Sequence, residues 1–135
     1  MAQYSQTFEI EPVAKGRPRF GSGFTFTPIK TRKFEADIRR LSRFKAPLSG
    51  PISLRVIFSL KKPKTSKNAF PIVRPDVDNL VKAVSDSLNG LWWNDDAQII
   101  QLYVSKYYAN KGSIQVFAAE VLNVSANYSN DPIPF

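Results

Sequence analysis

The chain of 135 residues contains no cysteine and no histidine. Disulfide frameworks, thiol nucleophiles, His-based triads and zinc sites built on sulfur or imidazole are therefore excluded. No side chain titrates near neutral pH unless a lysine or a carboxylate is strongly shifted. Any catalysis must draw on carboxylates, lysines, hydroxyls or a hard metal ion bound through oxygen. No apolar run approaches the roughly 18 residues that a membrane span needs. The opening MAQYSQTFEI lacks the basic-then-apolar layout of a signal peptide. The expectation is a cytoplasmic protein with no membrane partner, of a length that suits one core.

Acidic residues are scarce where basic ones are dense. Residues 1–75 carry 16 Lys and Arg against 4 Asp and Glu, a balance of +12, and residues 76–135 carry 3 against 7, a balance of −4. The net charge of +8 and its uneven spread suggest a polyanionic partner such as nucleic acid. The plain alternative is a basic soluble protein.

Periodicity places the elements. Tyr4–Ile10 reads as a strand, followed by a loop in which Lys15, Arg17 and Arg19 supply three cations in five residues. Phe24-Thr25-Phe26 reads as a short extended piece. Thr27-Pro28 has the form of a helix start, with Thr as cap and Pro at the first helical position. Phe34, Ile38 and Leu41 make the apolar stripe of that helix, which should end before Pro47. Ile52–Leu60 alternates as a strand does. Residues 61–75 form a basic, proline-punctuated loop carrying Lys61, Lys62, Lys64, Lys67 and Arg74, which should be mobile without a ligand. A second helix is expected with Asp78 as its cap, with Leu80, Val81, Val84 and Leu88 on its apolar face and Asn89-Gly90 as its stop. Gln98–Tyr108 and Ser113–Val121 read as strands of an antiparallel hairpin joined by residues 109–112. The fold class is thus α+β: one small domain over residues 1–122, a mostly antiparallel or mixed sheet packed with two main helices. Residues 123–135 read as a loose tail.

Five of the seven acids after residue 75 lie between 76 and 96. Asp76 and Asp78 stand two apart, and in extended chain they project to the same side about 7 Å apart. Two such carboxylates repel unless a cation lies between them, and Mg²⁺ is the natural one. Asp95 and Asp96 offer a third ligand from another segment. The bland alternative is that Asp78 caps a helix and that Asp95-Asp96 sit in a solvated turn. Lys82 falls on the same helix face as Asp78. It is either a surface ion pair or a cation beside a metal site, where it would stabilise a phosphorane-like transition state. Asp86 reads as a solvated charge. Of Trp92 and Trp93, one should anchor the turn in the core, while stacking on a base is the sharper alternative.

Pro75-Asp76-Val77-Asp78-Asn79-Leu80-Val81-Lys82-Ala83-Val84-Ser85-Asp86-Ser87-Leu88-Asn89-Gly90, with Trp93-Asn94-Asp95-Asp96-Ala97-Gln98-Ile99, closely resembles the signature of the RusA-type Holliday junction resolvases. Lys15-Gly16-Arg17-Pro18-Arg19-Phe20, with Thr27-Pro28 ahead of a basic helix, resembles the phage and prophage branch of that family. The likeness spans about residues 10 to 105. It implies a small α+β homodimer in a bacterial host cell that cuts four-way DNA junctions symmetrically with Mg²⁺, for which Mn²⁺ is expected to substitute. Asp76 and Asp78 match the family's first acid pair, Asp96 the third acid and Lys82 the essential lysine, with Asp95 the weaker candidate for the third acid. Asn79 is expected to support the site by hydrogen bonding. DNA contacts are expected from Lys15, Arg17, Arg19, Lys30, Arg32, Lys61, Lys62, Lys64, Lys67 and Arg74. The rival readings are a branched-DNA-binding protein without catalysis and a metal enzyme acting on small phosphates. The basic bias and the lack of a Gly-rich phosphate loop count against the latter.

Overall fold

A computed structural model describes residues 2–16, 19–21, 24–26 and 28–121. Ile52–Lys61 (β4) is its central strand. The side chains of Ile52, Leu54, Val56, Phe58 and Leu60 are all buried, which is the period-2 signature of a strand with one face on the core. Ile99–Ala109 (β5) pairs with it in parallel, and Ser113–Glu120 (β6) pairs with it antiparallel on the other side. Gln3–Phe8 (β1) adds antiparallel to β6, so the order is β1-β6-β4-β5. Arg19–Gly21 (β2) and Phe24–Phe26 (β3) pair as a separate two-stranded ribbon.

Two helices among the described residues complete the core. Ile29–Leu41 (α1) buries Thr31, Phe34 and Ile38. Val77–Leu88 (α2) buries Leu80, Ala83, Val84, Ser87 and Leu88, a stripe at the i, i+3, i+4, i+7, i+8 spacing of an amphipathic helix. Phe34, Ile38, Leu80, Ala83, Val84 and Leu88 join Phe8, Leu54, Val56, Phe58, Ile114 and Val116 in one apolar cluster. A small α+β domain with a mixed sheet and two helices is the architecture that the residue pattern implied. No helix of the described residues is long and apolar enough to cross a membrane.

The expected hairpin of the last two strands does not form. β4 lies between β5 and β6, and residues 110–112 step across its end. A two-strand step is about 9.6 Å, within the reach of a three-residue link. Short connections usually join neighbours, but burying both edges of the most apolar strand outweighs that tendency. The β4–α2–β5 segment is instead a parallel crossover, the connection that parallel strands require.

Other boundaries move slightly. The first strand ends at Phe8, two residues before Ile10. Gln6 faces inward there, and its amide is satisfied by the Leu41 carbonyl (2.7 Å) and the Arg43 N–H (2.9 Å). Pro28 occupies the cap position of α1 rather than its first turn. Asp76, not Asp78, is the cap residue of α2, and Asp78 falls in the first turn. Asn89 and Gly90 end that helix as expected, with Gly90 at φ 85°. Arg17, the Thr27 cap and the 123–135 tail lie outside the described residues, and of Arg19 only the backbone is described.

The chain directions give the molecule two unlike ends. β1, β4 and β5 run the same way, and both helices return against them. One end holds the finishes of β4 and β5 and the start of α2, and it is marked by the bond from Lys62 N–H to the Ala109 carbonyl (3.0 Å). The other end holds Trp92 and Trp93, both fully buried. There the Trp92 indole donates to Ser42 Oγ (2.8 Å), and Tyr4 and Phe44 set their rings edge-on to it. Gln98 ties in the carbonyls of Leu48 and Gly50, each at 2.9 Å. Complete burial of both tryptophans removes the base-stacking alternative and makes both of them core anchors.

Candidate active site

Asp76 and Asp78 stand at the start of α2, at the end where β4 and β5 finish. The Asp76 backbone is extended (φ −77°, ψ 151°), and its carbonyl accepts from Leu80 N–H at 3.1 Å. Its side chain makes no capping bond. No described residue hydrogen-bonds or ion-pairs with the carboxylate of Asp76 or Asp78, and both residues are exposed. The positive end of the α2 dipole offsets part of their charge and also favours a phosphate nearby.

A cleft of about 1070 Å³ opens beside Asp76. Pro12, Val13, Ala14 and Pro28 give it one apolar wall, while Lys30, Thr31, Arg74 and Asn79 bring polar groups. Gly16 allows this closure. Its N–H donates to Thr31 Oγ1 at 3.0 Å, and a Cβ there would stand 2.9 Å from both that oxygen and the Pro28 ring. The residue-15 backbone is pinned to the Asn79 carbonyl (3.0 Å), so the N-terminal loop, α1 and α2 meet at this cleft.

The expected DNA contacts divide into two groups. Lys30, Arg32, Lys61, Lys62, Lys64, Lys67 and Arg74 are exposed, and all belong to the cleft end or to the segments that enter it. Lys62 also lies 5.9 Å above the Tyr108 ring. Lys15 is different. Its ammonium contacts Glu35 on α1 (2.6 Å) and Asp86 on α2 (3.0 Å), and it is largely covered. Burial alone would lower its pKa, but the bonds to Glu35 and Asp86 outweigh that and raise it. Asp86 takes Lys82 on its other oxygen at 3.0 Å. Burial pushes the Asp86 carboxyl up, yet the bonds from Lys82 and Lys15 win and hold it below its ordinary value. Asp86 is therefore the hub of a four-residue ion network and not a solvated charge. Lys82, 59% exposed, stands on the same face of α2 as Asp78.

Asp96 does not join the acid pair. It follows α2, whose 12 residues span about 18 Å. Its carboxylate accepts the Trp93 indole N–H at 2.7 Å, at the tryptophan end. Asp95 is committed as the cap of the Asp96–Gln98 turn, accepting from Ala97 N–H at 3.0 Å. Among the described residues no group of three His, Cys, Asp or Glu side chains is gathered as a metal site. The pair alone still suits a hard cation. Mg²⁺ keeps much of its water and is commonly held by one or two carboxylates together with substrate phosphate, and these two carboxylates have no other described partner.

Two residues escaped sequence reasoning. Asp86 looked like a surface charge because its cations come from another element and from one helical turn away. Lys106 donates to the carbonyls of Val73 (2.8 Å) and Pro75 (2.9 Å). A signal for it was present: Leu102, Val104, Lys106 and Tyr108 share one phase of β5, and a lysine on that face calls for a partner. Arg39, on the same basic helix as Lys30 and Arg32, binds the carbonyls of Ser87 and Asn89 at the end of α2, each at 3.1 Å.

Comparison with known proteins agrees with this picture. The family model of the endodeoxyribonuclease RusA matches residues 9–117. The chain is also similar to the uncharacterized protein YqaN of Bacillus subtilis (strain 168), 34% identical over 130 residues that cover 82% of this chain and 92% of that protein.

Proposed function

The chain belongs to the RusA endodeoxyribonuclease family, and from that premise we propose that it resolves four-way DNA junctions by paired, Mg²⁺-dependent cuts that leave 5′-phosphate and 3′-hydroxyl ends. The observation that carries this reading is the placement of two carboxylates without a described partner, Asp76 lining a cleft and Asp78 two residues on, at the end of the sheet that also carries the exposed Lys61, Lys62 and Arg74. Its biological setting would be DNA recombination and repair in the cytoplasm of a bacterial host.

Lys30, Lys61, Lys62, Lys64, Lys67 and Arg74 would hold the sugar-phosphate backbone, a sequence-independent attraction that weakens as salt rises. Asp76 and Asp78 would hold the divalent ion, with Mn²⁺ able to replace Mg²⁺. Such an ion offsets charge on the phosphate under attack and acidifies water. With no histidine in the chain, the proton of the attacking water passes to a carboxylate oxygen of Asp76 or Asp78. Lys82 leaves Asp86 to meet the growing charge on the phosphoryl oxygens.

Two symmetric cuts call for two sites, hence a homodimer. The outer face of the sheet supports one. Phe117, Arg55 and Tyr103 are paired in a row across β6, β4 and β5, and both rings are well exposed. Asp96 lies a helix length from the acid pair of its own chain, so it would complete a three-carboxylate site only in a second protomer.

The test is cleavage of a synthetic four-way junction and a matched linear duplex, with Mg²⁺ or with EDTA, by wild type and Asp76→Asn. Paired nicks in the junction alone, lost with EDTA or the substitution, are expected. Tight junction binding without cutting under any divalent metal would overturn the reading in favour of a branched-DNA-binding protein.

A further inference from the structure

Lys106 lies on β5, opposite Phe58 in the register with β4. The residue is half-buried, and no described carboxylate pairs with its ammonium. It spends two of its donors on main-chain carbonyls, those of Val73 and Pro75. The second of these immediately precedes Asp76. The Asp76 carbonyl in turn is taken by Leu80 N–H. The backbone around Asp76 is thus held from both sides, by a strand and by a helix, while its carboxylate is left without a described partner. Of the other backbone hydrogen bonds in the preceding loop, that of Lys62 ties its first residue to the end of β5, and Ser66 to Pro63 and Ile72 to Phe70 stay within the loop.

We infer that Lys106 is a positioning residue for the acid pair. It clamps the segment Val73–Asp76 onto β5, so that the Asp76 carboxylate is presented beside Asp78 before any ion or DNA arrives. A proline-punctuated loop would otherwise leave Asp76 free to swing away from a like charge two residues on. The ammonium also places one positive charge next to that pair, where carbonyl bonds from a neutral donor would place none. This inference rests on reading Asp76 and Asp78 as the cutting centre, and it adds a residue that contacts neither carboxylate.

The test compares wild type, Lys106→Met and Lys106→Arg, each well below its melting temperature. The first arm is amide hydrogen exchange across residues 76–80 without metal or DNA. The Met variant should exchange about tenfold faster there, because local opening becomes easier, and the Arg variant should stay near wild type. The second arm is steady-state junction cleavage. A roughly 10- to 100-fold fall in kcat is expected for Lys106→Met, the cost of a misplaced reacting group, with KM nearly unchanged and most of the rate restored by Arg. Unchanged exchange, an unchanged kcat, or a loss confined to KM would overturn the clamp. Should the Met variant not fold, Lys106→Ser takes its place in both arms. A wild type that cuts no junction would sink the nuclease reading alone, and the exchange arm would still decide what Lys106 does.

Discussion

At the tryptophan end, the buried polar groups have protein partners. Trp92 reaches Ser42, Trp93 reaches Asp96, Gln98 spans two carbonyls and Arg39 spans two more. At the cleft end, Asp76 and Asp78 meet no described side chain, and Lys30, Lys64, Lys67 and Arg74 face solvent. Both ends are built on the same strands and helices. One satisfies its buried polar groups internally and contributes stability. The other leaves charge of both signs unspent, as a surface that binds a charged ligand must. The ion network of Lys15, Glu35, Asp86 and Lys82 stands between them and joins the cleft loop to both helices.

Substitutions should separate the two ends. The largest effect is expected from Asp76→Asn, which should cut junction cleavage by at least about 10²-fold while binding, measured by mobility shift, is kept or tightened as repulsion from phosphate falls. Trp92→Ala should do the opposite. A loss of about 3–5 kcal/mol in denaturant unfolding is expected for a fully buried aromatic, with junction binding by the folded protein unchanged. Exchanging Lys62, Lys64 and Lys67 for Ala should weaken junction binding and flatten its dependence on log salt by about one unit of slope for each phosphate no longer neutralised. A mixture of Asp76→Asn and Asp96→Asn proteins sharpens the contrast further. If the third acid comes from a second protomer, the mixed dimer keeps one intact site and nicks the junction. If both acids act within one chain, the mixture stays inactive.

The smallest effect concerns pH. The Asp86 pKa is lowered, so its stabilisation is complete above the ordinary 3.8 and is lost as pH falls through the lower folded value. The Lys15 pKa is raised, so its stabilisation is complete below the ordinary 10.5 and is lost as pH rises through the higher folded value. Asp86→Asn should therefore cost about 1 kcal/mol of stability. That difference should hold constant across neutral pH, and shrink in strong acid as Asp86 gains a proton and in strong alkali as Lys15 loses one. Chemical denaturation of both proteins over that range measures it.

Local pattern settled much of this protein. Alternation in Ile52–Leu60 marked the central strand, and the stripe from Leu80 to Leu88 marked α2, because burial of one face repeats with the period of the element. The spacing of Asp76, Asp78 and Lys82 marked the candidate cutting centre for a related reason, since all three lie on one short stretch of chain. What pattern could not reach is pairing between distant segments. The last two strands looked like a hairpin because their link is short, and only the demand of β4 for two neighbours separates them. Asp96 is expected at the acid pair as a third ligand from another segment and by resemblance, yet α2 carries it to the far end of the sheet. Asp86 reads as a solvated charge and Lys106 is not singled out, because their partners, Lys15 and the Val73 and Pro75 carbonyls, come from other parts of the chain. Residue type and spacing by themselves determined which elements form and which side chains carry charge. The tertiary structure alone decided which of those charges are neutralised by neighbours and which stay free, because that depends on where segments far apart in sequence are brought together.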